Sequence, residues 1–162
     1  MKKVFLLLLA SALMSLAGET KAQICNPYYA YYCGFGYMPV PTGYYVGYIY
    51  GGFPHGEGYF YGIDPNIGMV AYRGGFYMGV CNGKGELICQ QGYIAGEWAM
   101  GTFTRQINIS LNQAQNSYRQ VQSTYQAHVQ PQSNQRLNLA DVEIIQIDSD
   151  SRMGKQMLGK IK

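Results

Sequence analysis

Charge is scarce in these 162 residues: Asp, Glu, Lys and Arg make up 13%, with only two histidines and one tryptophan. That shortage excludes whole classes of function. A nucleic-acid binder needs a basic patch, and none is visible. The basic excess sits at the far end, in Arg152, Lys155, Lys160 and Lys162. No Gly-Lys-Ser/Thr phosphate loop and no Gly-x-Ser-x-Gly elbow occurs. His55 and His128 lie in unrelated segments, and the four cysteines lack zinc-site spacing. Asp141, Glu143, Asp148 and Asp150 lack the glycine and final glutamate of an EF-hand loop. The expectation is a chain with no enzyme activity, no metal and no cofactor; an enzyme whose site is assembled from scattered residues is the remote alternative.

A long apolar run is also missing. Val4–Leu16 is apolar apart from Ser11 and Ser15, too short to span a bilayer comfortably, which takes about 20 residues. With Met1-Lys2-Lys3 before it and Ala17-Gly18 and Ala22 after it, the segment reads as a bacterial-type signal peptide cut after Ala22. The expected location is beyond the inner membrane, periplasmic or secreted. Losing residues 1–22 removes Lys2, Lys3, Lys21 and Glu19. Twelve basic residues become nine and nine acidic become eight, so the net charge falls from +3 to near +1. Four cysteines in an exported chain invite disulfides. Cys25 and Cys33 bracket a short Tyr-rich loop and are the favoured pair. A crossing of this pair to Cys81 and Cys89, and a fully reduced set, stay open.

What the chain has in plenty is glycine, 21 residues, and tyrosine, 16. Residues 23–44 form a Tyr/Gly/Pro-rich lead-in, irregular or edge strand, in which Pro39 and Pro41 forbid helix. Residues 45–103 repeat. Tyr45-Val46-Gly47-Tyr48-Ile49 leads to Gly52 and His55-Gly56-Glu57-Gly58. Tyr72-Arg73-Gly74-Gly75-Phe76 leads to Gly79 and Asn82-Gly83-Lys84-Gly85. A partial third copy runs Ile94-Ala95-Gly96-Glu97-Trp98 to Gly101-Thr102-Phe103. Side chains alternate along a strand, so one face reads Tyr45, Gly47, Ile49; Tyr72, Gly74, Phe76; Ile94, Gly96, Trp98. A glycine between two large residues leaves room for rings to lie across the sheet. His55-Gly56 and Asn82-Gly83 are expected at the turns, and Asp64 in an inserted turn. One hairpin is marginal alone, so neighbours must stack.

On these residues the chain resembles the membrane occupation and recognition nexus (MORN) repeat, Tyr-x-Gly-x-Trp/Phe-x-x-Gly-x-x-His-Gly-x-Gly. Ile49, Asn82 and Ile94 depart from the pattern. The resemblance implies roles in protein assembly and in contact with membranes or lipids.

Residues 104–130 turn Gln-rich. Ile107, Leu111, Ala114, Tyr118, Val121 and Tyr125 step by four and three, which predicts an amphipathic helix closed by Pro131. Residues 131–162 read as a linker, a strand over Leu139–Ile147, and a basic tail or short helix. The fold expected is mostly β: a single antiparallel sheet of stacked hairpins with a C-terminal helix and a short terminal strand covering its face or its free edge at Trp98–Phe103.

The function expected is a non-catalytic exported binding or scaffold module, its partner a protein or the membrane surface. Tyr48, Tyr50, Arg73 and Tyr77, off the repeat face, are the candidate contact residues. The alternative is a self-assembling envelope or matrix protein, since Tyr/Gly-rich strands of low charge can pair between molecules.

Overall fold

A computed structural model describes residues 23–26, 31–64, 68–132 and 144–159. The signal-peptide expectation and Leu139–Glu143 lie outside them. Eight strands follow one another in chain order across a single antiparallel sheet: β1 (Gln23–Asn26), β2 (Tyr31–Val40), β3 (Gly43–Tyr50), β4 (Phe53–Asp64), β5 (Gly68–Tyr77), β6 (Val80–Cys89), β7 (Gly92–Ala99) and β8 (Thr102–Gln106). Among the described residues two α-helices accompany it, α1 (Leu111–Thr124) and α2 (Arg152–Leu158). The Tyr/Gly/Pro-rich lead-in is therefore part of the sheet. Pro39 is the next-to-last residue of β2, and Pro41 falls in the two-residue turn that follows, where no ladder hydrogen bond is required of it.

The repeat has a simple physical basis. Gly36, Gly47, Gly58, Gly74, Gly85 and Gly96 pair with one another in succession across β2 to β7. A row without Cβ atoms crosses six strands, and rings lie in it. The Tyr45 ring covers Gly47 and Gly58, and the Tyr72 ring covers Gly74 and Gly85. A Cβ on Gly47 would sit 2.5 Å from the Tyr45 hydroxyl, and one on Gly74 2.9 Å from that of Tyr72. Each hydroxyl donates to the carbonyl three residues on, Tyr45 to Tyr48 at 2.8 Å and Tyr72 to Gly75 at 3.3 Å. The third copy has Ile94 in place of tyrosine. Its ring comes from the next strand instead, with Phe103 lying over Gly96. Rings meet edge-on from Tyr45 to Phe76, Phe76 to Tyr72, Tyr72 to Trp98 and Trp98 to Phe103, with centroids 4.9–5.2 Å apart. Such pairs add about 0.5–1.5 kcal/mol each beyond their buried area. Every expected repeat-face residue is buried here.

The first two turns fall four residues earlier than the sequence suggests. Gly51-Gly52, Met78-Gly79 and Met100-Gly101 are the loops, with positive φ at both positions of each. That is the backbone whose twist matches a two-residue hairpin. His55-Gly56-Glu57 and Asn82-Gly83-Lys84 sit instead in bulges, where three residues of the return strand oppose one of its partner. An extra-residue bulge absorbs positive φ as readily as a turn does, which is why the sequence signal was ambiguous. The third copy does not stop at Phe103; β8 is its return strand and the sheet's edge.

The opposite face takes the helix. Ser110 caps α1 through a reciprocal pair with Gln113. Ala114, Tyr118, Val121, Tyr125 and Val129 pack on Val46, Tyr61, Ala71, Ile88, Tyr93 and Ala95. Two buried hydroxyls tie the layers, Tyr61 donating to the Val121 carbonyl at 2.9 Å and Tyr118 to that of Cys89 at 3.2 Å. Two positions of the expected stripe differ. Ile107 precedes the helix, and Leu111 is exposed in its first turn, where the chain has only begun to approach the sheet. Beyond Thr124 the helix widens to a π turn over Tyr125–Val129.

The terminal strand reduces, among the described residues, to a single parallel bridge between Gln146 and Tyr93. It extends the outer edge of β7 beside β8 rather than covering Trp98–Phe103. Ser151 then caps α2 by accepting from Gly154, and Met157 is buried on the glycine face against Cys89, sulfur to sulfur at 3.7 Å.

Candidate contact surface

Three hairpin tips, β3–β4, β5–β6 and β7–β8, lie at one end of the sheet, and their neighbours bind them together. The Gly79 amide donates to the Pro54 carbonyl at 2.9 Å, and the Gly101 amide to that of Cys81 at 2.8 Å. Met100 N–H also donates to the Asn82 side-chain carbonyl oxygen at 3.2 Å. The second and third tips are thus each held by the return strand of the hairpin before.

Most of the exposed large apolar side chains gather at this end, with Ile63, Leu111 and Ile145 exposed elsewhere. Tyr48, Tyr50, Phe53, Tyr77 and Met78 are each about half exposed, and Met100 is 62% exposed. Residues 48–56, 76–83 and 98–103 contain no charged side chain. On the helix face, beyond the reach of α1, His55 lies between Tyr50 and Tyr77 with ring centroids 5.5 and 5.3 Å away. Phe35 on β2 meets His128 of the π turn at 6.0 Å, edge-on, so the exposed end of the helix borders the same surface. Arg73 lies farther inward, half-buried, with Glu86 opposite it at 3.6 Å.

The structure brings Tyr50 and Tyr77 together through His55 and leaves Tyr48 and Arg73 at the margins. Sequence reading passed over Phe35, Phe53, Met78 and Met100. The two methionines had a local signal: each precedes a glycine between strand-like runs, where a two-residue turn was available.

Burial shifts several titratable groups among the described residues. Burial raises the Cys81 thiol to about 12 and also raises Cys89. Burial pushes the Tyr45, Tyr61, Tyr72 and Tyr118 phenols well above their ordinary range. Glu86 is raised by burial, with Ser117 and Arg73 pulling the other way. One of its oxygens is buried without a partner, as is His55 Nδ1. Among the described residues no group of three His, Cys, Asp or Glu side chains is placed to hold a metal, and no helix is long and apolar enough to cross a membrane. Cys81, near a tip, and Cys89, at the far end of β6, are free thiols, which removes the alternative in which the N-terminal cysteines cross to them.

No protein-family model and no curated protein matches the chain.

Proposed function

We propose that this chain is a non-catalytic, exported binding module built on MORN-type hairpins, and that its partner is a protein held at the hairpin-tip end. The observation that carries the reading is the concentration of half-exposed tyrosines around His55, with Arg73 and Tyr48 at the margin. Tyr and Arg are the residue types enriched where protein interfaces concentrate their binding energy. Tyrosine loses little conformational entropy on contact and offers both a ring and a hydroxyl. A membrane-surface partner is the second reading, favoured by the uncharged tips and by exposed Phe53, Met78 and Met100. The near-neutral charge argues against attraction to anionic headgroups. Export rests on residues 1–22. The Cys25–Cys33 disulfide belongs to the same proposal: β1 pairs beside β2 with Gln23 opposite Cys33, two residues from Cys25. A peptide-mass map of unreduced protein tests it.

The test of function is a photo-crosslinking residue placed at Tyr50 or Tyr77 in the producing cell. Adducts to another protein support the proposal. Adducts only to lipid move the assignment to the membrane, and adducts only to the same chain move it to a self-assembling matrix. No adduct from either position, with expression and folding intact, overturns a contact role for this surface.

A further inference from the structure

The glycine face is not fully covered. Met157, with Met153 and Leu158, packs over part of it, against a cluster that includes Val70, Leu87, Cys89 and Ile94. Toward β2 and the first two tips a groove of about 530 Å³ stays open. Buried Phe76 and Cys81 form its base, half-buried Met38 and Phe60 its walls, and half-exposed Phe53 and Met78 its mouth. The size lies within the range of ligand sites, roughly 300–1,000 Å³.

We propose that this groove holds the hydrocarbon chain of a single amphiphile, with the polar head left in water at the mouth. The site goes beyond the function proposed above; its base, with Tyr45, Phe76 and Cys81, lies on the other face of the sheet from the Tyr50–His55–Tyr77 surface, and its mouth opens at the hairpin tips.

Charge and hydrogen bonding select the occupant. No lining residue is charged. The polar side chains among them are Thr42, Tyr45 and Cys81, and the Tyr45 hydroxyl is already committed to the Tyr48 carbonyl. A charged or strongly polar ligand would lose its hydration and receive little in exchange. An extended peptide brings an N–H and a C=O with every residue, each needing a partner once buried. The strands beneath the groove supply few of them: β3 to β6 are paired on both sides within the sheet, and the outer edge of β2 along Met38–Val40, which β1 does not reach, carries Pro39 with no N–H to give. A hydrocarbon chain asks for no partners, and polarizable Met38 and Met78 adapt to its contour. Burying one methylene is worth about 0.8 kcal/mol, so each carbon added to a chain lying in the groove tightens binding roughly fourfold.

The experiment uses the purified chain and a fluorescent long-chain polyene fatty acid as probe. Straight-chain 1-alkanols of increasing length compete for it. The expected result is about one probe per chain, displaced roughly fourfold more tightly per added methylene and levelling once the groove is full. The paired substitutions Phe53→Asp and Met78→Asp change exposed side chains and put carboxylates at the mouth. They should weaken the probe at least about tenfold while circular dichroism and Tm hold. Tyr77→Ala, on the opposite face, should leave probe binding as it is. Displacement independent of chain length overturns the proposal, as does saturation at several probes per chain or full affinity in the Phe53→Asp/Met78→Asp protein. Loss of crosslinks at Tyr50 and Tyr77 would bear on the tip surface alone.

Discussion

The two faces of the sheet are both buried over most of their length, by opposite means. The helix face follows the ordinary route: apolar side chains ranging in size from Ala71 to Tyr61 alternate along the strands and a separate amphipathic helix covers them. The glycine face covers itself. Its row of six glycines leaves a trough, and rings from neighbouring rows lie down in it. The first solution demands little of any one residue but needs α1 to be present. The second needs no partner element along the ring-filled row and tolerates almost no change there, because ring and backbone are already in contact. A face that seals itself also leaves space where its rings end, and that is where the groove opens.

The sharpest way to break this comparison is to remove a ring. Tyr72→Ala should cost about 3–5 kcal/mol, the usual penalty for emptying a large aromatic site, measured by urea unfolding. Val121→Ala on the helix side should cost well under half as much. Equal losses would mean that the two faces are built alike.

Filling the trough comes next. Gly58→Ala puts a methyl group into the Tyr45 ring and should cost about 1–3 kcal/mol. The double change with Tyr45→Leu should cost less than the sum of the single changes. Strict additivity would show that ring and glycine do not touch.

Across the layers, Tyr61→Phe and Tyr118→Phe each remove a buried hydroxyl that joins sheet to helix. About 1 kcal/mol apiece is expected, together with faster hydrogen exchange in α1 and little change at the tips. Faster exchange at the tips instead would place the coupling elsewhere.

At the hairpin tips, Met78 and Met100 hold φ of +48° although neither gains burial from it. Asparagine suits that conformation better, so Met78→Asn and Met100→Asn should each raise stability by about 0.5 kcal/mol. A loss of stability would mean that the methionines make folded-state contacts worth more than their backbone strain.

The smallest effect is on pH. Burial raises the folded-state pKa of Glu86, so the folded chain holds that proton more tightly than the unfolded one. Its contribution to stability is fully present below the unfolded carboxylate range and is lost as pH rises through the folded value. Glu86→Gln should flatten stability against pH across that window. An unchanged slope would assign the dependence to another group.

Much of the sheet was legible because strand chemistry is local. Alternation placed Tyr45, Gly47 and Ile49 on one face, and the recurrence of that pattern at Tyr72 and Ile94 placed the strands in one sheet. The full row was legible too, in glycines eleven apart at 36, 47 and 58 and again at 74, 85 and 96, although only Gly47, Gly74 and Gly96 were matched. The turns were misplaced because Asn-Gly and His-Gly suit a bulge as well as a turn, and only cross-strand register separates the two. The tip surface was half seen: Tyr48, Tyr50 and Tyr77 through their face, but not Phe53, Met78 or Met100, whose proximity depends on three turns falling at one end.

By itself the amino-acid sequence determined the elements and the faces: the alternation that makes strands, the missing Cβ atoms that admit rings, and the heptad-like stripe that makes α1. These follow from neighbours within a few residues, where sterics and periodicity decide. Only the tertiary structure decided which face α1 covers, that Phe103 substitutes for the tyrosine missing at Ile94, and that a groove remains beside the first two tips. Those outcomes depend on the strand register, on twist accumulated over eight strands and on the packing of residues far apart in the chain, none of which is written in any single stretch of it.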